Sequence, residues 1–167
     1  LETCVYEKIM LIKPTVPVGN DLGYLPGTLM EKIIPHYESF LDNLCVIFPQ
    51  FVSRPPEEFL MYLMSTNKFV FAPPAYMRGR SLQRTMIILD EAQNIDRNIA
   101  RTILTRVGED SKIVVMGDIL QIDTKQNVYN NGLSTIVNAF RAEDCSAHIT
   151  LRKGERSSFA ERAAELL

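Results

Sequence analysis

Apolar residues fall along the chain in two kinds of run. Five short ones, rich in β-branched or aromatic side chains, read as buried strands: Lys8 to Ile12, Phe69 to Phe71, Thr85 to Leu89, Lys112 to Met116 and Ala147 to Leu151. Between them the apolar positions take helical spacing, as in Ile99, Ile103, Leu104 and Val107, or Leu133, Ile136, Val137 and Phe140. From Thr15 to Pro26 the chain is rich in glycine and proline with little apolar periodicity. Thr28 then stands as an N-cap with Glu31 three residues on, predicting a helix to about Leu44. Pro49 to Pro56 and the asparagine-rich Lys125 to Asn131 read as further loops. Strand alternating with helix predicts an α/β fold: a mostly parallel sheet with helices on both faces, joined by right-handed crossovers. No internal repeat or linker divides the chain.

Composition narrows the class without changing this picture. A length of 167 residues suits one domain. Hydrophobic residues at 46% and charged residues at 23% exclude a disordered or fibrous chain. The formal net charge of -2 gives no general attraction to nucleic acid, so any such binding must come from local clusters of Lys and Arg. Cys4, Cys45 and Cys145 are odd in number and lack C-x-x-C spacing, so they read as reduced core residues rather than disulfides or zinc ligands. His36 and His148 have no ligand-type partner at helical spacing and read as structural. No apolar run approaches the roughly 18 residues of a membrane span, and the N-terminal residues lack a signal-peptide pattern. The expected location is the cytoplasm, with no membrane partner.

The chemistry concentrates after two strands. Met86-Ile87-Ile88-Leu89 runs into Asp90-Glu91-Ala92-Gln93, delivering two adjacent carboxylates to the C-terminal end of a strand, where parallel sheets place ligands. In nucleoside triphosphatases the first acid of such a pair holds Mg²⁺, usually through water, and the second orients or deprotonates the attacking water. Asp90 and Glu91 fit those roles; a plain strand end beside a helix N-terminus would also carry acids. The next strand decides between them. Ile113-Val114-Val115-Met116 leads to Gly117-Asp118-Ile119-Leu120-Gln121, in which Gly117 permits close backbone approach to a ligand. Gln121 has the amide that positions a γ-phosphate or its attacking water, and Asp90, Gly117 and Asp118 are the nucleotide-binding candidates. D-E-x-Q followed by G-D-x-x-Q is similar to the P-loop core of superfamily 1 helicases.

Around this pair the likeness becomes more specific. Pro17 to Gly27 (PVGNDLGYLPG), Ala75 to Ser81 (AYMRGRS), Ile88 to Asn94 (ILDEAQN) and Leu104 to Gly108 (LTRVG) resemble PhoH-like proteins in order and spacing, over nearly the whole chain. The closing Leu151 to Ser157 and Ala160 to Leu167 resemble the branch in which this ATPase follows an N-terminal PIN ribonuclease domain. The resemblance implies ATP and Mg²⁺ as cofactors, ATP hydrolysis coupled to unwinding or processing of single-stranded RNA, and a homo-oligomeric ring. The related helicases contact the nucleic-acid backbone where Lys13-Pro14 stands here. The family usually shows Arg-Pro, and Lys keeps the charge but loses the planar fork.

One departure accompanies the matches. None of the eight glycines is followed by Lys and then Ser or Thr, so the family's G-x-x-x-x-G-K-[ST] phosphate loop, or Walker A, is absent from these residues. The expected assignment is residues 1–167 as a PhoH-like ATPase domain lying after that loop, by truncation rather than by degeneration.

Several cations keep two readings. Arg156, after Gly154-Glu155, is either a residue that neutralises transition-state charge across a subunit boundary or a helix-start arginine paired with Glu155 or Asp144. Arg78 and Arg80, flanking Gly79 beside Tyr76, combine charge with an aromatic that stacks on a base, or form a solvated turn. Residues 19–27 are either a substrate or subunit contact or a rigid turn. The rival function is a nucleic-acid-binding or assembly module that does not hydrolyse ATP. A small-molecule kinase would need an acceptor pocket that the sequence does not indicate.

Overall fold

A computed structural model describes residues 5–14, 29–49, 55–77, 79, 81–151, 159, 162–163 and 166. It divides into two compact units, Leu1–Ile136 and Val137–Leu167. The first holds a four-stranded sheet of β1 (Lys8–Ile12), β2 (Phe69–Ala72), β3 (Thr85–Leu89) and β4 (Lys112–Val115), in the order β2-β1-β3-β4. All three pairings are parallel. The α/β class and parallel sheet expected from the sequence are therefore present.

In register, Leu11 stands opposite both Phe71 and Ile88, so these three side chains share one face. That face is covered by a helical pair, α1 (Leu29–Ile47) and α2 (Pro56–Ser65). Tyr37, Leu41 and Leu44 of α1 join Phe59, Leu60 and Leu63 of α2 in one buried cluster with Leu11 and Phe71. Tyr37 and Phe40 both meet the Phe71 ring edge-on, at centroid distances of 5.1 and 5.8 Å, a geometry favoured by the ring quadrupole. Met10, Ile12, Ile87 and Leu89 alternate onto the opposite face and are as fully buried. Ala100 and Ile103 of α3 (Arg97–Leu104) are also buried.

Two further details place the later elements. Asp96 caps α3 by accepting from the Asn98 and Ile99 N–H groups at 2.7 and 2.8 Å. The helix α4 (Gly132–Phe140) crosses the division between the units. Its start is pinned by buried Asn131, whose Oδ1 accepts from the Ser134 N–H at 2.9 Å.

Two expectations need correction. Ala147 to Leu151 forms no strand; its residues are exposed and without regular structure. A strand exists only through a hydrogen-bonding neighbour, and this segment has none among the described residues. Cys145 is exposed rather than in the core, whereas Cys45 is half-buried against the α1 cluster; both are free thiols. Cys4 lies outside the described residues. No helix among the described residues is long and apolar enough to cross a membrane.

Burial and the nearby Lys13 ammonium hold the His36 imidazole below its usual pKa. A histidine kept neutral by the fold contributes its stability above the unfolded value of about 6.5, and that contribution is lost as pH falls through the depressed folded value. Acidification below about pH 6.5 is therefore expected to lower the thermal midpoint, and His36→Gln to flatten the decline. Superimposable midpoint-against-pH curves for the two proteins would refute this.

Candidate active site

The site grows from the ends of β1, β3 and β4. The ladder continues one step past β3: the Asp90 N–H donates to the Ile12 carbonyl at 2.9 Å, and the Met116 N–H donates to the Leu89 carbonyl at 2.8 Å. Asp90 and Glu91 thus emerge between the ends of the two neighbouring strands. The chain then turns sharply, with Glu91 in the left-handed region at φ 51 and ψ 40. For a residue with a Cβ this costs about 1 kcal/mol or more. A cluster of hydrogen bonds accompanies the strained residue.

Gln93 is central to that cluster and is fully buried. Its Nε2 donates to Glu91 Oε2 at 2.6 Å and to the Gln121 carbonyl at 2.8 Å. Its Oε1 accepts from the Asp118 N–H at 3.1 Å. The donors and acceptors around it fix which end of the amide is nitrogen. Asn94, next along the turn, accepts from the Asp123 N–H at 2.9 Å. One short turn after β3 therefore grips the loop after β4 along residues 118–123. Gly117 makes this possible, because a Cβ there would overlap Gln93 Oε1. The glycine read as permitting close approach of a ligand also makes room for the Gln93 amide.

The other sequence candidates divide into three groups. Asp118 and Gln121 join the site, with Gln121 Nε2 donating to Asp118 Oδ2 at 2.8 Å. Lys13 joins it too, but as a partner of Asp90, its Nζ 3.3 Å from Oδ2. Tyr76 is 58% exposed in a 3-10 turn, Pro74–Met77. Arg78, Arg80 and Arg156 lie outside the described residues, as do residues 19–27. Gln93 and Asn94 were not assigned roles from the sequence. The D-E-x-Q spacing was a signal for Gln93, but spacing alone does not reveal which groups an amide bridges.

The donor set is suited to one kind of metal. No cluster of three or more His, Cys, Asp or Glu able to hold a metal occurs among the described residues. Asp90 is half-buried, with Oδ1 accepting the Glu91 N–H at 3.0 Å and Oδ2 beside the Lys13 ammonium; each oxygen keeps a lone pair for a ligand. A single oriented carboxylate at a strand end fits Mg²⁺, which keeps several waters and takes further oxygens from phosphate. A hollow of about 340 Å³, lined by Val5, Tyr6, Arg84, Asp110 and Ser111, opens beside the starts of β3 and β4. Ligands of parallel sheets gather at the other end, so the carboxylate end is the better candidate.

A parallel sheet with adjacent strands ending in paired acids and in G-D-x-x-Q defines an α/β domain of the P-loop nucleoside-triphosphatase class. The model for the PhoH-like protein family matches residues 1–166, and the chain belongs to that family. It is 43% identical over 164 residues to Protein PhoH2 of Bacillus subtilis, covering 98% of this chain and 36% of that protein. It is 32% identical over 168 residues to Protein PhoH2 of Mycolicibacterium smegmatis, covering 100% and 37%. With Protein PhoH of Escherichia coli it shares 33% over 160 residues, covering 93% and 43%. The chain thus spans well under half the length of these relatives.

Proposed function

We propose that this chain carries the metal- and water-handling part of an ATP-hydrolysing domain that acts on single-stranded RNA. The observation that supports this best is the joining of the two strand ends: Glu91 is hydrogen-bonded through Gln93 to the loop bearing Asp118 and Gln121. Asp90 would hold Mg²⁺ through water, and the ion would neutralise charge on the phosphates. Glu91 takes the proton of the attacking water or orients that water, and the left-handed turn with Gln93 fixes where its carboxylate lies. Gln121, released from Asp118, contributes an amide at the γ-phosphate. Lys13, Tyr76, Arg78 and Arg80 supply the nucleic-acid contacts, and Arg156 completes the site from a neighbouring subunit of a ring. The PIN-linked branch is the context in which such a motor would process RNA.

A P-loop contributes backbone N–H groups and a lysine that hold the phosphates in line with water, and positioning of this kind accounts for roughly 7 to 11 kcal/mol of barrier lowering. The 167-residue chain is therefore expected to release phosphate from ATP at a negligible rate, and a form carrying G-x-x-x-x-G-K-[ST] at a rate that rises with single-stranded RNA. Steady-state phosphate release measures both. A loop-bearing form that binds RNA but does not turn over ATP would replace this reading with the binding-module one.

A further inference from the structure

We infer that Lys13 is an internal stand-in for the divalent ion: its ammonium holds the Asp90 carboxylate until a metal arrives and displaces it. This rests on reading Asp90 as the metal-side carboxylate.

Electrostatics sets the two cations against each other. Asp90 Oδ1 accepts the Glu91 N–H at 3.0 Å, and Lys13 Nζ lies 3.3 Å from Oδ2. Each oxygen keeps a further lone pair, but a divalent ion brought to either one comes close to the ammonium and is repelled by it. The two side chains are 20% and 28% exposed, so the pair is partly shielded and its charges are felt more than on an open surface. The ammonium also sits close enough to α1 to help depress the His36 pKa. Its described ion-pair partner is Asp90, and it is repelled by His36 when that ring is protonated.

Two consequences follow from elementary electrostatics. While Lys13 is in place, Asp90 is neutralised without a metal, and an isolated carboxylate is not left at the end of the sheet. A divalent ion at the Asp90 carboxylate would repel the ammonium, and the long lysine stem would let it swing away. A cation freed in this way is available to a nucleic-acid phosphate. Metal binding would thereby switch on a backbone contact that the resting pair conceals, and by linkage the phosphate would favour metal binding in return.

The experiment is a titration of the 167-residue chain with Mn²⁺, followed by paramagnetic broadening of backbone amide signals from Leu89 to Glu91. It is carried out on wild type, Lys13→Met, Lys13→Arg and Asp90→Asn. Lys13→Met should bind Mn²⁺ about fivefold more tightly, the factor that a partly exposed ion pair of this kind is worth. Lys13→Arg should stay near wild type, and Asp90→Asn should lose the saturable broadening. Equal affinity in wild type and Lys13→Met, with binding lost in Asp90→Asn, overturns the stand-in role and leaves the metal reading intact. Undiminished binding in Asp90→Asn overturns both, and no saturable broadening in either wild type or Lys13→Met overturns the stand-in role.

Discussion

Replacing Glu91 by Gln in a form of the protein that carries a phosphate loop is expected to slow ATP hydrolysis by about 10²- to 10⁴-fold, the range associated with a positioned general base. Nucleotide affinity should change little, because the substitution is isosteric and leaves Asp90 untouched. The structure makes Gln a clean replacement. The left-handed backbone at φ 51 is no worse for Gln than for Glu, so folding is not the variable. The Gln93 Nε2 donor 2.6 Å from Glu91 Oε2 meets an amide that can present its own oxygen. What is removed is the carboxylate's charge and with it the ability to take a proton. Asp90→Asn should behave differently, weakening Mg²⁺-nucleotide engagement before chemistry begins. Nucleotide affinity measured beside single-turnover hydrolysis separates the two. Equal loss of binding in both variants would mean that the acids do not divide their roles.

Much of the sheet was legible because buried parallel strands are short apolar runs bounded by polar residues. Lys8–Ile12 and Thr85–Leu89 match their expected bounds, and α4 shows the apolar spacing read for it; α3 holds Ile99, Ile103 and Leu104 but ends there, and Val107, read on the same helix, pairs instead with Leu82 in an isolated parallel bridge. The helix α2 was not anticipated. Its buried face is Phe59, Leu60 and Leu63, but Met61, Tyr62 and Met64 on its other side are apolar and exposed, so no clean period marks it. Pro56 at its first position was the available signal, since proline is tolerated there. Ala147 to Leu151 fails for the opposite reason: an apolar run fits a strand locally, but pairing is a non-local property. The site divides in the same way. Asp90, Glu91, Asp118 and Gln121 could be named because their chemistry is tied to strand ends. The Lys13–Asp90 pair and the Gln93 bridge could not, because each depends on which strands are neighbours: β1 beside β3, and β3 beside β4.

Gln93→Leu is expected to cost about 2 to 4 kcal/mol of stability, since it removes the partners of the Asp118 N–H and one partner of the Gln121 carbonyl while keeping nearly the same volume. Were Gln93 only a spacer in the core, leucine would be neutral or stabilising. Gln93→Glu tests charge separately from shape: it still offers an acceptor to Asp118, but it sets a second carboxylate against Glu91 in a buried place, where repulsion is poorly screened. It should be at least as destabilising as leucine. A third substitution identifies the contact itself. A Cβ at Gly117 would overlap Gln93 Oε1 and would lie 3.2 Å from both the Ala92 N and Leu133 Cδ2. Gly117→Ala is therefore expected to destabilise by about 1 to 3 kcal/mol, and by appreciably less when Gln93 is already Ala, because the side chain that must yield is gone. Denaturant unfolding of the four members of the Gly117 and Gln93 alanine cycle gives the coupling, which should be at least about 1 kcal/mol in the relieving direction. Additive effects would show that Gly117 is required for some neighbour other than the Gln93 amide.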